Sequence, residues 1–339
     1  MKNRFLDALA ERVLLCDGGM GTVLYSKGVY LNTCFDELNL TNPAIVKEVH
    51  REYVQSGVDI IETNTFGANR LKLRKYGLND KVGDINRSAA AIAREEAGEA
   101  IFVAGSIGPL GVKIAPLGPL SSTEAEDVFA EQAAALRDGG VDLIILETFS
   151  DLHEIEAAIK AIRRVSPVLP LIAEMTIDED GNSHFGMTPE VFTAKLEDMG
   201  ADVIGVNCSV GPAPMLQCVE RMAKVTGRPL AAMPNAGMPR EVEGRNIYLC
   251  SPDYMAEYAK RFIQSGVKVI GGCCGTTPAH IKAMRAAVKA HQPPRRAVTS
   301  PLRPAAAAAR RRRSRRPAPS GGAASTASIF PIDPGPAPG

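Results

Sequence analysis

Three cysteines in this sequence have the residue type and the setting of a metal site. Cys273 and Cys274 are adjacent within the glycine-rich segment Gly271–Gly275, and Cys208 ends the segment Gly205–Cys208. Thiolates are soft ligands that bind Zn²⁺ well, and a zinc ion held by three protein ligands keeps a fourth position for water or a substrate. These cysteines therefore predict a catalytic zinc site, provided that the fold brings residue 208 next to residues 273 and 274.

The adjacent cysteines could instead form a disulfide or be unreactive core residues. Consecutive Cα atoms lie about 3.8 Å apart, below the usual disulfide range of about 4.4–6.8 Å, so a bond between Cys273 and Cys274 would be strained. The flanking glycines and the third cysteine at another strand end favour the metal site. The odd count of seven cysteines and the charged start of the chain, without an apolar leader, predict a cytoplasmic protein.

Eight short apolar runs recur along the chain at a steady interval, and both faces of each run are apolar, as in parallel strands covered on both sides. The runs are Val13–Cys16, Asp59–Glu62, Ile101–Ala104, Leu143–Glu147, Leu171–Met175, Val203–Asn207, Leu230–Met233 and Val267–Ile270. Helical patterns separate them, and four begin with a capping residue before a proline: Asn42-Pro43, Thr188-Pro189, Ser251-Pro252 and Thr277-Pro278. Eight such units predict a (β/α)₈ barrel. An open doubly wound sheet is the alternative.

Polar residues and glycines follow nearly every run, at the end where barrel enzymes build their active sites. Cys208 follows the sixth run, and the adjacent cysteines follow the eighth, so strands six and eight could bring the three thiols together. Four carboxylates reach the same face: Asp17, Glu62, Glu147 and Glu174. One such acid would be a hydrogen-bonded structural group, but a ring of four beside a metal predicts a cationic or amino-bearing substrate.

The first run ends in a turn, Asp17–Thr22, that contains three glycines. Glycines allow close backbone approach and expose N–H groups, which suits a carboxylate or a phosphate. A tight turn without a ligand explains the glycines equally well. The G-x-G-x-x-G spacing of a dinucleotide site is absent, so the turn is not a nucleotide fingerprint.

The strand-end segments resemble the homocysteine S-methyltransferases, a zinc family that includes betaine-dependent enzymes and the first module of cobalamin-dependent methionine synthase. The matching segments are Asp17–Thr22, Glu62–Phe66, Leu146–Phe149, Gly205–Cys208, Pro234–Gly237 and Gly271–Gly275. The resemblance covers about residues 1–290. The segment Cys34–Leu73 is most similar to the homocysteine module of methionine synthase, and to bacterial proteins that fuse this module to a methylenetetrahydrofolate reductase.

The resemblance implies an enzyme that transfers a methyl group to homocysteine and gives methionine. Homocysteine would bind with its thiol as the fourth ligand of zinc, which stabilises the nucleophilic thiolate, since a free thiol has a pKa of about 8.5. Asp17 and Glu147 would be the catalytic acids that position the amino group, and the glycine-rich turn would bind the carboxylate. The implied substrate-binding residues are Gly18, Gly19, Thr63, Asn64, Ser106, Glu147 and Asn235. In the empty enzyme the amide oxygen of Asn235 would occupy the open zinc position.

The methyl donor stays open at this stage. A self-sufficient enzyme would use S-methylmethionine, S-adenosylmethionine or betaine. The alternative is a homocysteine- and zinc-binding module that works only with a partner module, either a methylcobalamin and methyltetrahydrofolate system or a reductase.

Residues 292–339 differ in composition from residues 1–291. They are rich in proline and alanine and carry nine arginines against one acid, whereas residues 1–291 have a net charge of −7. Such a segment cannot bury a core, so we predict a homocysteine-binding barrel in residues 1–291 and a disordered basic tail or linker after it. A linker to a further domain, a solvated tail that touches anionic partners, and an aberrant C-terminus are the three interpretations.

Two partner classes are not expected for the barrel. Its mildly acidic charge does not suit a nucleic-acid surface, and nucleic-acid binding through the arginine-rich tail is the weaker alternative. No apolar run reaches the roughly 20 residues that a membrane span needs.

Overall fold

The computed structural model describes residues 3–30, 32–242 and 245–291. The strands are β1 (Leu14–Leu15), β2 (Ile60–Glu62), β3 (Phe102–Ile107), β4 (Leu143–Phe149), β5 (Leu171–Met175), β6 (Val203–Asn207), β7 (Leu230–Met233), β8 (Arg240–Val242), β9 (Arg245–Ile247) and β10 (Val267–Ile270). All except β8 and β9 form one parallel sheet in the order β1-β10-β7-β6-β5-β4-β3-β2. The predicted (β/α)₈ barrel is confirmed, and the open doubly wound sheet is excluded, because the strands follow the chain order around the barrel.

Helices alternate with the barrel strands. They are α1 (Arg4–Glu11), α2 (Met20–Ser26), α3 (Leu38–Thr41), α4 (Pro43–Gln55), α5 (Arg70–Leu73), α6 (Val82–Ala97), α7 (Ser122–Asp138), α8 (Leu152–Val165), α9 (Pro189–Asp198), α10 (Pro212–Met222), α11 (Pro252–Gln264) and α12 (Pro278–Ala290). The four helix starts predicted at a cap followed by proline are confirmed in α4, α9, α11 and α12. Within the described ranges, no helix combines the length and the apolar character that crossing a bilayer requires.

The predicted tail, residues 292–339, lies outside the described residues. The antiparallel hairpin of β8 and β9, between β7 and α11, was not predicted. Its strands are three residues long and lack the apolar character of the barrel strands, so the sequence pattern gives no signal for it.

One buried carboxylate joins the two strands at which the barrel closes. The backbone N–H of Asp59 donates to the carbonyl of Leu15 (2.7 Å), and the Leu15 N–H donates to the Asp59 side chain (2.9 Å). The same carboxylate binds Arg12 at 2.7 Å and Arg285 at 2.8 Å. Asp59 therefore links β1 to β2, which do not pair along a regular ladder. Its ion pairs also connect this seam with Arg12, before β1, and with Arg285, in the last helix.

The apolar core has two layers that follow the alternation of side chains along each strand. Inside the barrel, side chains from all eight strands form one cluster, which residues of α1 join. Phe5 of α1 packs edge-on against Phe102, with ring centroids 5.5 Å apart. Ile145 and Ile172 belong to this inner cluster, so Glu147 and Glu174, two residues further along, also point inward near the carboxyl ends of the strands.

Replacing Asp59 with alanine should destabilise the barrel. The substitution leaves Arg12, Arg285 and the Leu15 N–H without their shared partner. We expect a loss of about 2–4 kcal/mol in the free energy of unfolding, below the full cost of a buried pair because Arg12 stays partly solvated. Urea unfolding followed by circular dichroism measures this loss.

The matched control is Asp138→Ala, which removes the carboxylate from an exposed ion pair with Arg137. An exposed pair contributes about 0–1 kcal/mol, so the control should change little. Equal losses in the two variants would contradict the role of Asp59 in closing the barrel.

Candidate functional site

The structure brings the three cysteines of the two separate segments together at the carboxyl ends of β6 and β10. Their sulfur atoms all lie within 4.8 Å of one another, and the Sγ atoms of Cys208 and Cys274 are 3.9 Å apart. All three side chains are half-buried, so the cluster can be reached from the barrel mouth. This arrangement is a candidate metal site.

The backbone leaves strand geometry at both segments, which lets the three thiols converge. Cys208 and Ser209 have positive φ angles of 58° and 62°, a conformation that non-glycine residues seldom adopt. The N–H of Cys208 donates to the carbonyl of Met233, and the N–H of Cys273 donates to the carbonyl of Pro234 (2.9 Å). Both cysteine segments are therefore fastened to the end of β7, the strand that lies between them.

Gly275 is needed at its position for two reasons. Its φ is 77°, and a Cβ atom there would lie 2.2 Å from the ring of Tyr248. Tyr248 follows β9 and packs closely against Gly275. The glycine after the cysteine pair thus allows the pair to turn inward and allows Tyr248 to approach it.

The cluster does not favour three thiolates in the absence of a cation. Hydrogen bonds from Cys208 and Cys273 to its sulfur lower the pKa of Cys274. The pKa of Cys273 is raised well above its usual value, because it hydrogen-bonds to Cys208 and Cys274 and is buried beside them. The cluster therefore loses one proton easily and retains the others. Three thiolates so close together require a positive charge among them.

A cavity of about 520 Å³ opens above the cluster. Among the residues singled out in the sequence, those that line it are Asp17, Gly18, Gly19, Glu62, Thr63, Asn64, Ser106, Glu147, Cys208, Cys273 and Cys274. Asn235 does not line the cavity. It is 3% exposed, and its side-chain oxygen has no hydrogen-bond partner among the described residues.

Several carboxyl groups, which repel one another when they are ionised, form the floor of this cavity. Asp17 accepts the N–H of Glu62 at 3.0 Å, and the Ser106 hydroxyl donates to Glu147. Burial raises the pKa of Glu62 well above its usual value, and the charges of Glu147 and Asp17 raise it further. The floor therefore binds protons in the absence of a ligand, and a cation placed there would reverse these shifts.

Glu174 lies deeper in the barrel than the other three acids. It is 0% exposed, and neither carboxyl oxygen has a hydrogen-bond partner among the described residues. Burial, and then the charge of Glu147, raise its pKa well above the usual value. Glu174 therefore keeps its proton to a higher pH than an exposed glutamate does.

The glycine-rich turn is packed against the loop that carries the cysteine pair. The N–H of Gly19 donates to the carbonyl of Thr276 at 3.0 Å. A Cβ atom at Gly18 would lie 2.7 Å from that carbonyl, and one at Gly19 would lie 2.8 Å from the carbonyl of Cys273. Close backbone packing explains these two glycines, and the Gly19 N–H is already used within the protein.

Several residues of the cavity were not found from the sequence. Asn207 exchanges two hydrogen bonds with Thr148, whose φ is 65°, and so fixes the irregular last residues of β4. Lys72 and Phe66 form part of the outer wall. Asn207 adjoins the predicted ligand Cys208 and could have been considered on that basis, whereas the segment that carries Lys72 gives no such signal.

The sequence profile of the homocysteine S-methyltransferase family matches residues 14–288. The methionine synthase of Mycobacterium tuberculosis is 36% identical over 311 residues, which cover 87% of this chain and 26% of that protein. The methionine synthase of Mycobacterium leprae is 36% identical over 300 residues, which cover 84% of this chain and 25% of that protein. This chain thus spans about a quarter of the length of these relatives.

Solved structures of a homocysteine methyltransferase superpose on this chain. The oxidised form of the homocysteine methyltransferase MmuM from Escherichia coli superposes with a TM-score of 0.69 at 25% identity, covering 83% of this chain and 97% of MmuM. The metallated form of MmuM gives a TM-score of 0.70 at 24% identity, covering 83% of this chain and 98% of MmuM.

Replacing Glu174 with glutamine should stabilise the protein at high pH relative to the wild type. The folded state holds the Glu174 proton above the usual pKa of about 4.3, so the wild type loses stability as the pH rises from there toward the folded-state pKa. The amide has no such proton. In that window the difference in unfolding free energy, variant minus wild type, should grow by up to about 1.4 kcal/mol per pH unit.

Urea unfolding at three pH values, about 5, 7 and 9, measures this difference. The matched control is Glu99→Gln at an exposed position. A variant whose unfolding free energy follows the wild-type pH dependence would show that Glu174 is not held protonated.

Proposed function

Because the chain belongs to the homocysteine S-methyltransferase family, we propose that residues 1–291 bind homocysteine and transfer a methyl group to its sulfur, giving methionine. The observation that carries the proposal is the convergence of three thiols beside an acidic cavity floor. A thiol substrate with an amino group matches both halves of this site.

Cys208, Cys273 and Cys274 are the proposed ligands of zinc. In a tetrahedral site with Zn–S bonds of about 2.3 Å, the sulfur atoms are about 3.8 Å apart. The separation of 3.9 Å between Cys208 and Cys274 fits that spacing. Zinc bound in this way would supply a fourth coordination position at which the homocysteine thiol is held as its nucleophilic thiolate.

The acids of the cavity floor are the proposed binding site for the substrate ammonium group. Asp17 and Glu147 accept it, and Glu62 lies close enough to both to add its charge. Ser106 donates to Glu147 and so fixes the direction of that carboxylate. An ammonium group among these acids lowers their raised pKa values, which makes its binding favourable.

Thr63 and Asn64 act in this proposal by shaping the cavity, and Asn235 acts from outside its lining. The Thr63 hydroxyl accepts the N–H of Ser106 at 3.1 Å, and the Asn64 amide donates to the carbonyl of Phe35 at 2.7 Å. Asn235 has a buried side-chain oxygen without a partner, which is the group proposed to contact the metal when no substrate is bound.

The methyl donor is the point on which two versions of this function differ. The cavity volume lies in the range that holds drug-sized ligands and is larger than homocysteine, so it leaves room for a donor. The second version is a module that binds zinc and homocysteine but receives the methyl group from a partner module. Similarity to the methionine synthases supports this second version, and similarity to MmuM over 97% of its length supports the first.

The experiment that separates the versions uses zinc-loaded protein and homocysteine. S-methylmethionine, S-adenosylmethionine, betaine, and methylcobalamin with methyltetrahydrofolate are offered in turn, and methionine is measured. Methionine from a small donor supports the self-sufficient enzyme. Homocysteine binding without methionine from any small donor supports the module, and no homocysteine binding by zinc-loaded protein would contradict both.

Replacing Cys208 with alanine should remove one of three metal ligands. Loss of a direct ligand costs more than loss of a residue that only supports a ligand, so the apparent affinity for zinc should fall by more than about 100-fold. Competition with a chelating dye measures the affinity, and metal analysis measures the stoichiometry.

Cys34→Ala is the matched control, because Cys34 lines the same cavity but lies outside the cluster. The control should bind zinc like the wild type. Full zinc retention by the double variant Cys208→Ala and Cys273→Ala would rule out the proposed site.

A further inference from the structure

A closed ring of hydrogen bonds joins the chain after β2 to the end of β3. The Ser106 N–H donates to the Thr63 hydroxyl at 3.1 Å, and the Thr65 hydroxyl donates to the Ser106 carbonyl at 2.7 Å. The two threonine hydroxyls are 2.6 Å apart. A hydroxyl has one proton, and Thr65 gives its proton to the carbonyl, so Thr63 is the donor in the bond between the two hydroxyls. Each bond of the ring therefore has a fixed direction.

The ring continues the contact between β2 and β3 beyond the point where their regular pairing ends. The last paired residues are Glu62 and Ala104. In a parallel sheet the N–H and C=O of one residue face the same neighbouring strand, so both backbone groups of Ser106 face the chain after β2. The hydroxyls of Thr63 and Thr65 bind these two groups in place of backbone partners. The backbone of Ser106 is thus held by two side chains.

Ser106 connects this ring to the acids of the cavity floor. Phe102 and Ala104 belong to the inner cluster, so the Ser106 side chain, two residues further along β3, also points into the barrel. Its hydroxyl donates to Glu147, and both residues line the cavity. The direction of the Glu147 carboxylate therefore depends on where the backbone of Ser106 is held.

The three hydroxyls are buried, and their protons are all used within the protein. Thr63, Thr65 and Ser106 line the cavity, but their hydroxyls donate to Thr65, to a backbone carbonyl and to Glu147. None of the three protons is available to a ligand. From α7, the buried side chain of Gln132 donates to the Thr65 carbonyl at 2.8 Å and so holds residue 65 in place. These bonds suit a role in holding other groups rather than in donating to the substrate.

We propose that Thr63 and Thr65 position the carboxylate of Glu147 for the ammonium group of homocysteine, and that they act through Ser106. This inference rests on the proposed function. It gives Thr65 a role and makes Thr63 a positioning residue instead of a direct contact of the substrate. Loss of either hydroxyl leaves buried polar groups without partners, so Ser106 and the carboxylate that it orients are no longer fixed.

The test measures the binding of two ligands to the zinc-loaded full chain by calorimetry. The ligands are homocysteine and 4-sulfanylbutanoate, which is homocysteine without its amino group. The variant Thr65→Val keeps the branched shape of the side chain and removes the hydroxyl. Homocysteine binding should weaken by about 3- to 10-fold, the range expected for one hydrogen bond, and 4-sulfanylbutanoate binding should change by less than about 2-fold. Thr63→Val breaks the same ring at its other hydroxyl and should have the same selective effect.

Further variants separate positioning from a general loss of structure. Thr65→Ser keeps the hydroxyl and should retain most of the homocysteine affinity. The matched control is Thr193→Val in α9, which removes a buried hydroxyl that has no hydrogen-bond partner among the described residues and does not line the cavity. The control should change both affinities by less than about 2-fold. Zinc stoichiometry and thermal unfolding show that each variant is folded.

A double variant tests whether Thr65 acts through Glu147. Glu147→Gln removes the charge that Ser106 orients, so adding Thr65→Val to Glu147→Gln should weaken homocysteine binding little further. Independent action of the two residues would instead give additive losses of binding free energy.

The outcomes distinguish this inference from the proposed function. Weakening that is not confined to homocysteine, no weakening at all, or additive losses in the double variant would overturn the positioning role and leave the proposed function intact. A zinc-loaded wild type that binds neither thiol would overturn the proposed function and this inference together.

Discussion

Like charges buried in one barrel mouth are the constraint on which the rest of this structure depends. Three thiols lie within 4.8 Å of one another, and the carboxyl groups of Asp17, Glu62 and Glu147 lie beside them in a largely apolar frame. In a low dielectric these groups cannot all be ionised without a cation. These groups therefore tend to hold protons, and in the proposed function zinc and the substrate ammonium would take their place.

A rigid frame is required to hold such groups together. Parallel strands closed into a barrel supply it, and the seam between β1 and β2 depends on Asp59 and its two arginines. At the opposite end, backbone bonds from Cys208 and Cys273 fasten their segments to the end of β7. The stability of the closed barrel thus offsets the cost of gathering groups that repel one another.

The periodic parts of the sequence predicted the fold well. The bounds of β5, β6, β7 and β10 are the predicted ones, because each is a short, mainly apolar run between polar or turn-forming residues. The strand predicted to end at Ala104 continues to Ile107, since it pairs with β4 through Gly105, Ser106 and Ile107, where the apolar run is already interrupted. The hairpin of β8 and β9 was missed because it buries no apolar stripe.

The sequence by itself determined the barrel and the candidate metal ligands. Residue types at strand ends carry that information, because every parallel strand of a barrel ends on the same face. Only the tertiary structure decided which polar groups bind one another. Thr65 looks like any threonine after a strand in the sequence. The ring that joins Thr63 and Thr65 to Ser106 depends on contacts between segments that no local pattern encodes.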